Sequence, residues 1–553
     1  MRLGGSFPAR IVRPEGTARH VSAPRHLQTS LIAAMAAVVA SPFARADEIG
    51  HEELIARLGA AAPTGAGVRV VQCEASEQAG ALKVLPDGAL AAFAGKTFNQ
   101  AVSGMTVSWH GTEVAKSFYG IGTSIAPGIT QVHVYDANGF LQSNYLQLGG
   151  GFALPPSVPP GPSSLDRARV FNHSWIGAIA QGVFDSEALR RADFAMHRDN
   201  TLFVVGENNG AGSAMQPLLA CGYNSIAVGR TDGQHSAGNT PANIDGPGRM
   251  KPELVAPGQF TSFSTPVVSA AAALLYQTAA TAPYSQNVNR ARGVAIKAAL
   301  LAGATHGPSW TNNAPASGAS RGITARPLDP VFGCGTVNID RAHRIITADE
   351  SQSLATADDA ALEPPSPRVA LWDLEVLQSS AAIQQFHYRL DLPAAGDVSI
   401  VATWTRNLAA NAFSSATAPV IANVTLRLQR IEGESVLPLT GDAGIGRFES
   451  GNVVSSSAVD NVEHLFVRGL APGSYVVSVV REATAASALS FLAVAGIVDL
   501  RAVPGDLNGD GVVNGDDLGI MLAAWGPGTG PADLNLDGNV DGNDLGILLG
   551  AWT

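Results

Sequence analysis

Residues 68–74 read VRVVQCE, a largely apolar, β-branched run that ends on a carboxylate. Runs of the same kind recur as TQVHVYDA (130–137), ARVFNHSW (168–175), TLFVVG (201–206) and NSIAVG (224–229), each short enough for a buried strand. Longer stretches with helical spacing lie among and beyond them, SEALRRADFAMHR (186–198) and STPVVSAAAALLYQTAA (264–280). Strands spaced by helices predict parallel β-α-β units, so residues 47–347 are expected to form one α/β domain around a parallel sheet. A carboxylate at the carboxyl end of such a strand stands where α/β sheets place functional groups. Glu74 is therefore a candidate, with a structural carboxylate as the alternative.

Outward from this domain the pattern changes. TADESQSLATADDAALEPPSP is acidic and carries Pro364, Pro365 and Pro367, and residues 348–366 read as an interdomain linker. Beyond it the apolar period becomes two: Val398, Ile400, Ala402 and Trp404, then Val424, Leu426 and Leu428, then SYVVSVV after the turn LAPG. This predicts an all-β antiparallel sandwich over 367–500, an accessory module without catalytic spacing.

Residues 504–553 hold a repeat of period 27, DLNGDGVVNGDDLGIMLAAWG from Asp506 and DLNLDGNVDGNDLGILLGAW from Asp533. Each copy opens with a twelve-residue loop bearing side-chain oxygens at positions one, three, five, nine and twelve. These are Asp506, Asn508, Asp510, Asn514 and Asp517 in the first and Asp533, Asn535, Asp537, Asp541 and Asp544 in the second, with the backbone carbonyls of Val512 and Asn539 at position seven. Hard Ca²⁺ takes six to eight oxygens, and Gly511 and Gly538 permit the sharp turn that gathers them. Two Ca²⁺ sites are expected, each followed by a helix with one apolar face, as at Leu518, Met521, Leu522 and Trp525. The tail resembles a type I dockerin, which implies a small all-α domain that binds a cohesin-like or cell-surface partner. Gly515-Asp516 and Gly542-Asn543 stand where dockerins often carry recognition hydroxyls.

A chain of 553 residues exceeds one ordinary core, and a net charge of −11 without clustered Lys and Arg argues against nucleic acid as partner. Cys73, Cys221 and Cys334 match neither a disulfide framework nor a zinc site; at most one bridge can form, and Cys73 reads as a buried thiol. Five arginines precede the apolar run LIAAMAAVVA (31–40), and ARA (44–46) offers small residues for cleavage, so residues 1–46 read as a signal peptide and Asp47 as the first residue of a secreted chain. Ten apolar residues cannot cross a bilayer core of roughly 30 Å, and no transmembrane segment is expected in the mature chain.

Within FTSFSTP (260–266), Ser262 is either a nucleophile at the mouth of a helix or part of a helix cap. A nucleophile needs a base, a group that orients the base, and donors for the oxyanion. His110 in SWHGTEVA, with Gly111 allowing close approach, and Asn208 in TLFVVGENNG are the candidates. In chain order GAGVRVVQCEA, SWHGTEVA, RVFNHSWIG, LFVVGENNG, NSIAVG, MKPELVAPG, FTSFSTPVVSAAAALL and GCGTVNIDRA resemble the subtilase family of serine peptidases, from about residue 65 to 342. The resemblance implies a subtilisin-like parallel-sheet α/β catalytic domain with His110 as base, Ser262 as nucleophile, Asn208 in the oxyanion hole and Glu74 in the acid position. It also implies that the backbone of Ser174, Trp175 and Ile176 pairs with an extended polypeptide substrate. Hydrolysis itself would require no cofactor.

Three features depart from the family. Glu74 replaces an aspartate, Phe260 replaces a glycine ahead of Thr261-Ser262, and 27 residues between Asp47 and Glu74 leave no room for a folded propeptide. The expectation is a secreted serine endopeptidase with a calcium-dependent docking tail. The alternative is a catalytically impaired peptide-binding or cell-surface assembly protein.

Overall fold

The computed structural model describes residues 48–157, 167–179, 182–483, 487–501, 504–508, 512–535 and 537–552. The expected signal peptide, and Asp510 and Gly511 of the first tail loop, lie outside them.

Seven strands form the first sheet: β1 (Arg69–Glu74), β2 (Thr97–Gln100), β3 (Gln131–Asp136), β4 (Ala168–His173), β5 (Leu202–Gly206), β6 (Ile226–Arg230) and β7 (Leu254–Ala256). They pair in the order β7-β6-β5-β4-β1-β3-β2, every pair parallel. The chain winds outward from β1 to β2 and β3 on one side, then crosses to β4 on the other. The direction therefore switches between β1 and β4, which is where open parallel sheets leave a crevice at their carboxyl ends.

Side chains alternate across this sheet. Val70, Val134, Val170, Val204 and Val228 pack on one face with helices α1 (Trp109–Tyr119), α3 (Thr261–Ala280), α4 (Gly293–Ala302) and α5 (Ile339–Thr347). Val71, Cys73, Phe171, Phe203 and Val205 pack on the other with α2 (Gly182–Asp199). Helix α3 is buried almost all round from Val267 to Tyr276, as a helix without a polar face must be. Its run of alanines lets α1, α5 and the sheet approach closely.

The C-terminal strands are β8 (Ala370–Leu377), β9 (Gln384–Leu392), β10 (Gly396–Trp404), β11 (Val424–Glu432), β12 (Val462–Leu470), β13 (Gly473–Arg481) and β14 (Ser490–Leu500). One sheet runs β8-β14-β10-β12 and the other β11-β13-β9, joined antiparallel, and Ile400, Trp404, Leu426, Leu465 and Val477 fill the layer between them.

The α/β domain and the sandwich pack against each other. Trp372, Val401, Val462, Ala493, Ala495 and Ile497, on the outer face of the β8-β14-β10-β12 sheet, share one core with α4 and α5. Ile323–Thr324, N-terminal to the expected boundary at 347, pair in parallel with Val454–Ser455 on the second sheet. Arg406, just past β10, is buried against Asp193 at 2.6 Å and against Asp245, which Arg190 also holds at 2.6 Å. The expected linker is folded too: Thr356 caps a short helix, Ala357–Leu362, which buries Ala360 and Ala361 against β9 and β13.

The tail has helices α7 (Gly515–Ala523) and α8 (Gly542–Gly550), taking Ala357–Leu362 as α6, and a two-residue antiparallel pair, Gly526–Pro527 with Asn539–Val540. The tail is thus not purely helical. All three cysteines are buried and free, so the one bridge the sequence allowed is not formed. Among the described residues no helix is long and apolar enough to cross a membrane.

Candidate active site

At the carboxyl end of β1, Gln72 and Glu74 share the α1 face by strand alternation and are fully buried. Glu74 Oε2 lies 2.8 Å from His110 Nδ1. Glu74 Oε1 accepts from Gln72 Nε2 at 2.9 Å, Gln72 Nε2 also donates to the Gly111 carbonyl at 2.8 Å, and Tyr119 OH donates to Gln72 Oε1. The methylene that distinguishes Glu74 from aspartate is accommodated. Gly111, next to His110, packs so closely on Val84 that a Cβ would stand 2.7 Å from the Val84 carbonyl.

Helix α1 starts at Ser108, whose hydroxyl accepts from Gly111 N–H, and Glu77 Oε1 accepts from His110 N–H at 2.6 Å. Burial alone would lower the His110 pKa, but the charges of Glu74 and then Glu77, with the hydrogen bond to Glu74, outweigh it and hold the imidazole above its usual 6.5. Gln72, Tyr119 and Glu77 were not legible as site residues; the one signal was a buried-type polar residue, Gln72, inside an apolar strand.

Ser262 is the second residue of α3. Phe260, at the N-cap, has φ −139° and ψ 154°, extended backbone that any residue adopts, so the glycine position of the family pattern imposes no strain here. The Phe260 ring meets Phe263 edge-on at 6.1 Å, and Phe263 lies 6.1 Å from the His110 ring and 6.4 Å from Trp109. In the first turn of α3, Thr261 N–H donates to Asn209 Oδ1 at 2.8 Å, while Phe263 and Ser264 N–H go to the Phe260 carbonyl. Among the described residues Ser262 N–H has no acceptor, which leaves it available to an anion at a positive helix end.

Pro266 is not in the first turn, where its missing N–H would cost nothing. It sits four residues after Ser262 and so cannot bond the Ser262 carbonyl. Ser174 Oγ takes that carbonyl instead at 2.9 Å, and Ser262 Oγ donates to the Ser174 carbonyl at 3.4 Å. The end of β4 is thereby tied to the turn carrying Ser262. No hydrogen bond joins Ser262 to His110 in this state; such contacts commonly tighten when substrate arrives.

Backbone groups of Trp175 and Ile176 have no partner within the chain among the described residues, whereas the Gly177 carbonyl accepts from Leu218 N–H at 3.0 Å. The Trp175 side chain is buried in the core, its ring edge-on to His173 at 5.8 Å. Asn208 follows β5, with one amide N–H on the Ala214 carbonyl at 2.9 Å; the amide carries a second. Gly206 ahead of it must lack a side chain, since a Cβ would meet Thr265 Oγ1 at 2.8 Å. Asn209, the cap that α3 lacks at Phe260, also escaped the sequence reading.

In the tail, Asp517 accepts from Leu507, Asn508 and Asn514 N–H, and Asp544 from Leu534, Asn535 and Asp541 N–H, so both position-twelve carboxylates turn into their loops. Asp533 accepts from Asp537 and Gly538 N–H. Among the described residues no three His, Cys, Asp or Glu side chains cluster as a metal site.

Residues 95–322 match the subtilase family, Peptidase_S8, a span that includes His110, Ser174, Asn208 and Ser262 and begins after Glu74. Similar solved structures include the prenylagaramide maturation protease PagA, 21% identical, covering 51% of this chain and 94% of that one with a TM-score of 0.33. Fervidolysin from Fervidobacterium pennivorans, a keratinolytic enzyme related to subtilisin, is 14% identical over 76% of this chain and 53% of its own, TM-score 0.35. The PatG macrocyclase domain is 14% identical over 52% and 93%, TM-score 0.34. No curated protein gives a significant match.

Proposed function

We propose that the protein is a serine endopeptidase of subtilisin type acting on polypeptides through Ser262, His110 and Glu74. The observation that carries this reading is the buried Glu74–His110 contact of 2.8 Å at the carboxyl end of the sheet, beside a serine whose own N–H has no acceptor among the described residues. Ser262 Oγ attacks the scissile carbonyl while its proton passes to His110 Nε2; Glu74 accepts from Nδ1–H and stabilises the imidazolium. The oxyanion is held by Ser262 N–H and the second N–H of Asn208. The C–N bond then breaks as His110 returns the proton to the departing amine. Water, deprotonated by His110, cleaves the acyl ester and restores Ser262. Ser174, Trp175 and Ile176 supply the edge that an extended substrate joins.

The protein is further read as secreted, with two Ca²⁺ sites held by the oxygens of Asp506, Asn508, Asp510, Val512, Asn514 and Asp517 and of Asp533, Asn535, Asp537, Asn539, Asp541 and Asp544. Calcium there would order the tail loops for a docking partner of cohesin type. The second reading, a peptide-binding protein with impaired catalysis, is favoured by the Ser262 hydroxyl resting on Ser174 instead of His110. An organophosphonate serine probe separates the two: wild type labels at Ser262 and Ser262→Ala does not. Absence of labelling in folded wild type would overturn the peptidase reading.

A further inference from the structure

Immediately ahead of Asn208 stands Glu207, fully buried and not used by the chemistry above. Because Gly206 faces α3, alternation turns Glu207 to the opposite face of the sheet. Its Oε2 accepts from Ser236 Oγ at 2.6 Å, and its Oε1 has no hydrogen-bond partner among the described residues. The same Ser236 oxygen accepts Asn208 N–H at 3.0 Å, and Ser236 N–H donates to the Asn208 carbonyl at 2.7 Å. From the other side, Thr261 Oγ1 donates to the Glu207 carbonyl at 2.6 Å. Residues 207–209 are therefore clamped between the Ser236 turn and the first turn of the nucleophile's helix.

We infer that Glu207 is a positioning residue for Asn208: acting through Ser236, its carboxylate holds the oxyanion asparagine in register with Ser262, and the hold tightens when Glu207 loses its proton. The inference rests on the peptidase reading. A hydroxyl that donates to an ionised carboxylate makes a shorter, stronger bond, and its polarised oxygen is then a better acceptor for Asn208 N–H. Burial pushes the Glu207 carboxyl up to about 7, opposed by the Ser236 bond and the charge of Lys251 and reinforced by Glu253, so the proton is exchanged near neutrality. The facing groups are few. Lys251 and Lys297 both bind Glu253 Oε1, the Cys221 thiol is pushed up to about 12 by burial and stays neutral, and the His235 ring is engaged by Arg230 N–H and the Val331 carbonyl. Arg249, buried on the Cys221 carbonyl, adds a further positive charge to this cluster.

The test has two arms. In Ser262→Ala protein, the Asn208 amide proton, observed by NMR with selective ¹⁵N-asparagine labelling, should titrate with a midpoint near 7, and this titration should vanish with Glu207→Gln or Ser236→Ala. In the active protein, the acid limb of the Ser262 labelling rate should be steeper than a single proton allows, because His110 and Glu207 both deprotonate. Glu207→Gln or Ser236→Ala should reduce the limb to one proton and lower the plateau about tenfold, with little change in KM for a peptide substrate. Ser236→Thr, which keeps the hydroxyl, should restore both. An Asn208 amide that does not follow Glu207 overturns the inference whether or not Ser262 is reactive. Absence of labelling in wild type instead overturns the peptidase reading.

Discussion

Replacing Glu74 by glutamine tests the orienting role of this acid with almost no change of shape. Gln72 Nε2 donates to Glu74 Oε1 at 2.9 Å, and its own orientation is set because Gln72 Oε1 receives the Tyr119 hydroxyl. A glutamine at 74 must therefore turn its carbonyl toward Gln72 and its NH₂ toward His110. The imidazole can meet that NH₂ only with the lone pair of Nδ1, which puts the ring proton on Nε2, the atom that should receive the Ser262 proton. The wrong tautomer is locked in, and a loss of about 10⁴ in rate, roughly 5.4 kcal/mol, is expected. The buried negative charge is also gone, so His110 loses its main support against burial and its pKa falls; the residual acid limb should move to lower pH than in wild type, where it lies above 6.5. The assay is the second-order rate of phosphonate labelling at Ser262 from acid to alkaline pH, with circular dichroism to confirm folding. Adding Gln72→Leu frees the amide to rotate and should recover about tenfold. A loss of less than tenfold in Glu74→Gln, with an unmoved limb, would refute the reasoning.

Arg406→Ala leaves Asp193 and Asp245 buried beside one unpaired space and should destabilise the chain by about 3 to 5 kcal/mol in urea unfolding, while Arg406→Met should cost less than Arg406→Ala only if Asp193 and Asp245 are neutralised with it. Gly206→Ala pushes a methyl into Thr265 Oγ1 and should cost about 1 to 3 kcal/mol, with a drop in labelling rate because the first turn of α3 shifts. In the tail, Asp506→Ala with Asp533→Ala should abolish calcium uptake measured by calorimetry on the full chain; unchanged uptake removes the paired-loop assignment.

Of the central sheet, β1, β4, β5 and β6 were legible because their β-branched runs are buried on both faces, and β3 because Val132 and Val134 alternate with half-buried Gln131, His133 and Tyr135. Strand β2, TFNQ, is half exposed and polar, and β7 is three residues long, so neither leaves a pattern strong enough to read. Glu74, His110, Asn208 and Ser262 stood out because each follows or opens a regular element. Gln72, Glu77, Asn209, Ser236 and Glu207 did not, since each acts through a partner 28 or more residues away or through burial. The sandwich strands were visible from their period of two, but that period carries no sign that α4 and α5 cover their outer face. Val401, Ala493 and Ala495 are small or β-branched residues that suit a half-exposed face as well as one covered by α4 and α5.

By itself the sequence determined the order of the elements, the parallel character of the first sheet and the residues that end its strands, because apolar period and run length are local properties. Tertiary structure alone decided that Glu74 reaches His110, that Phe260 is unstrained, that Ser174 replaces the helix bond lost at Pro266, and that the sandwich and the first domain share one core. Those outcomes depend on distances between segments far apart in the chain, and burial and charge take their meaning from which neighbours folding brings within a few ångströms.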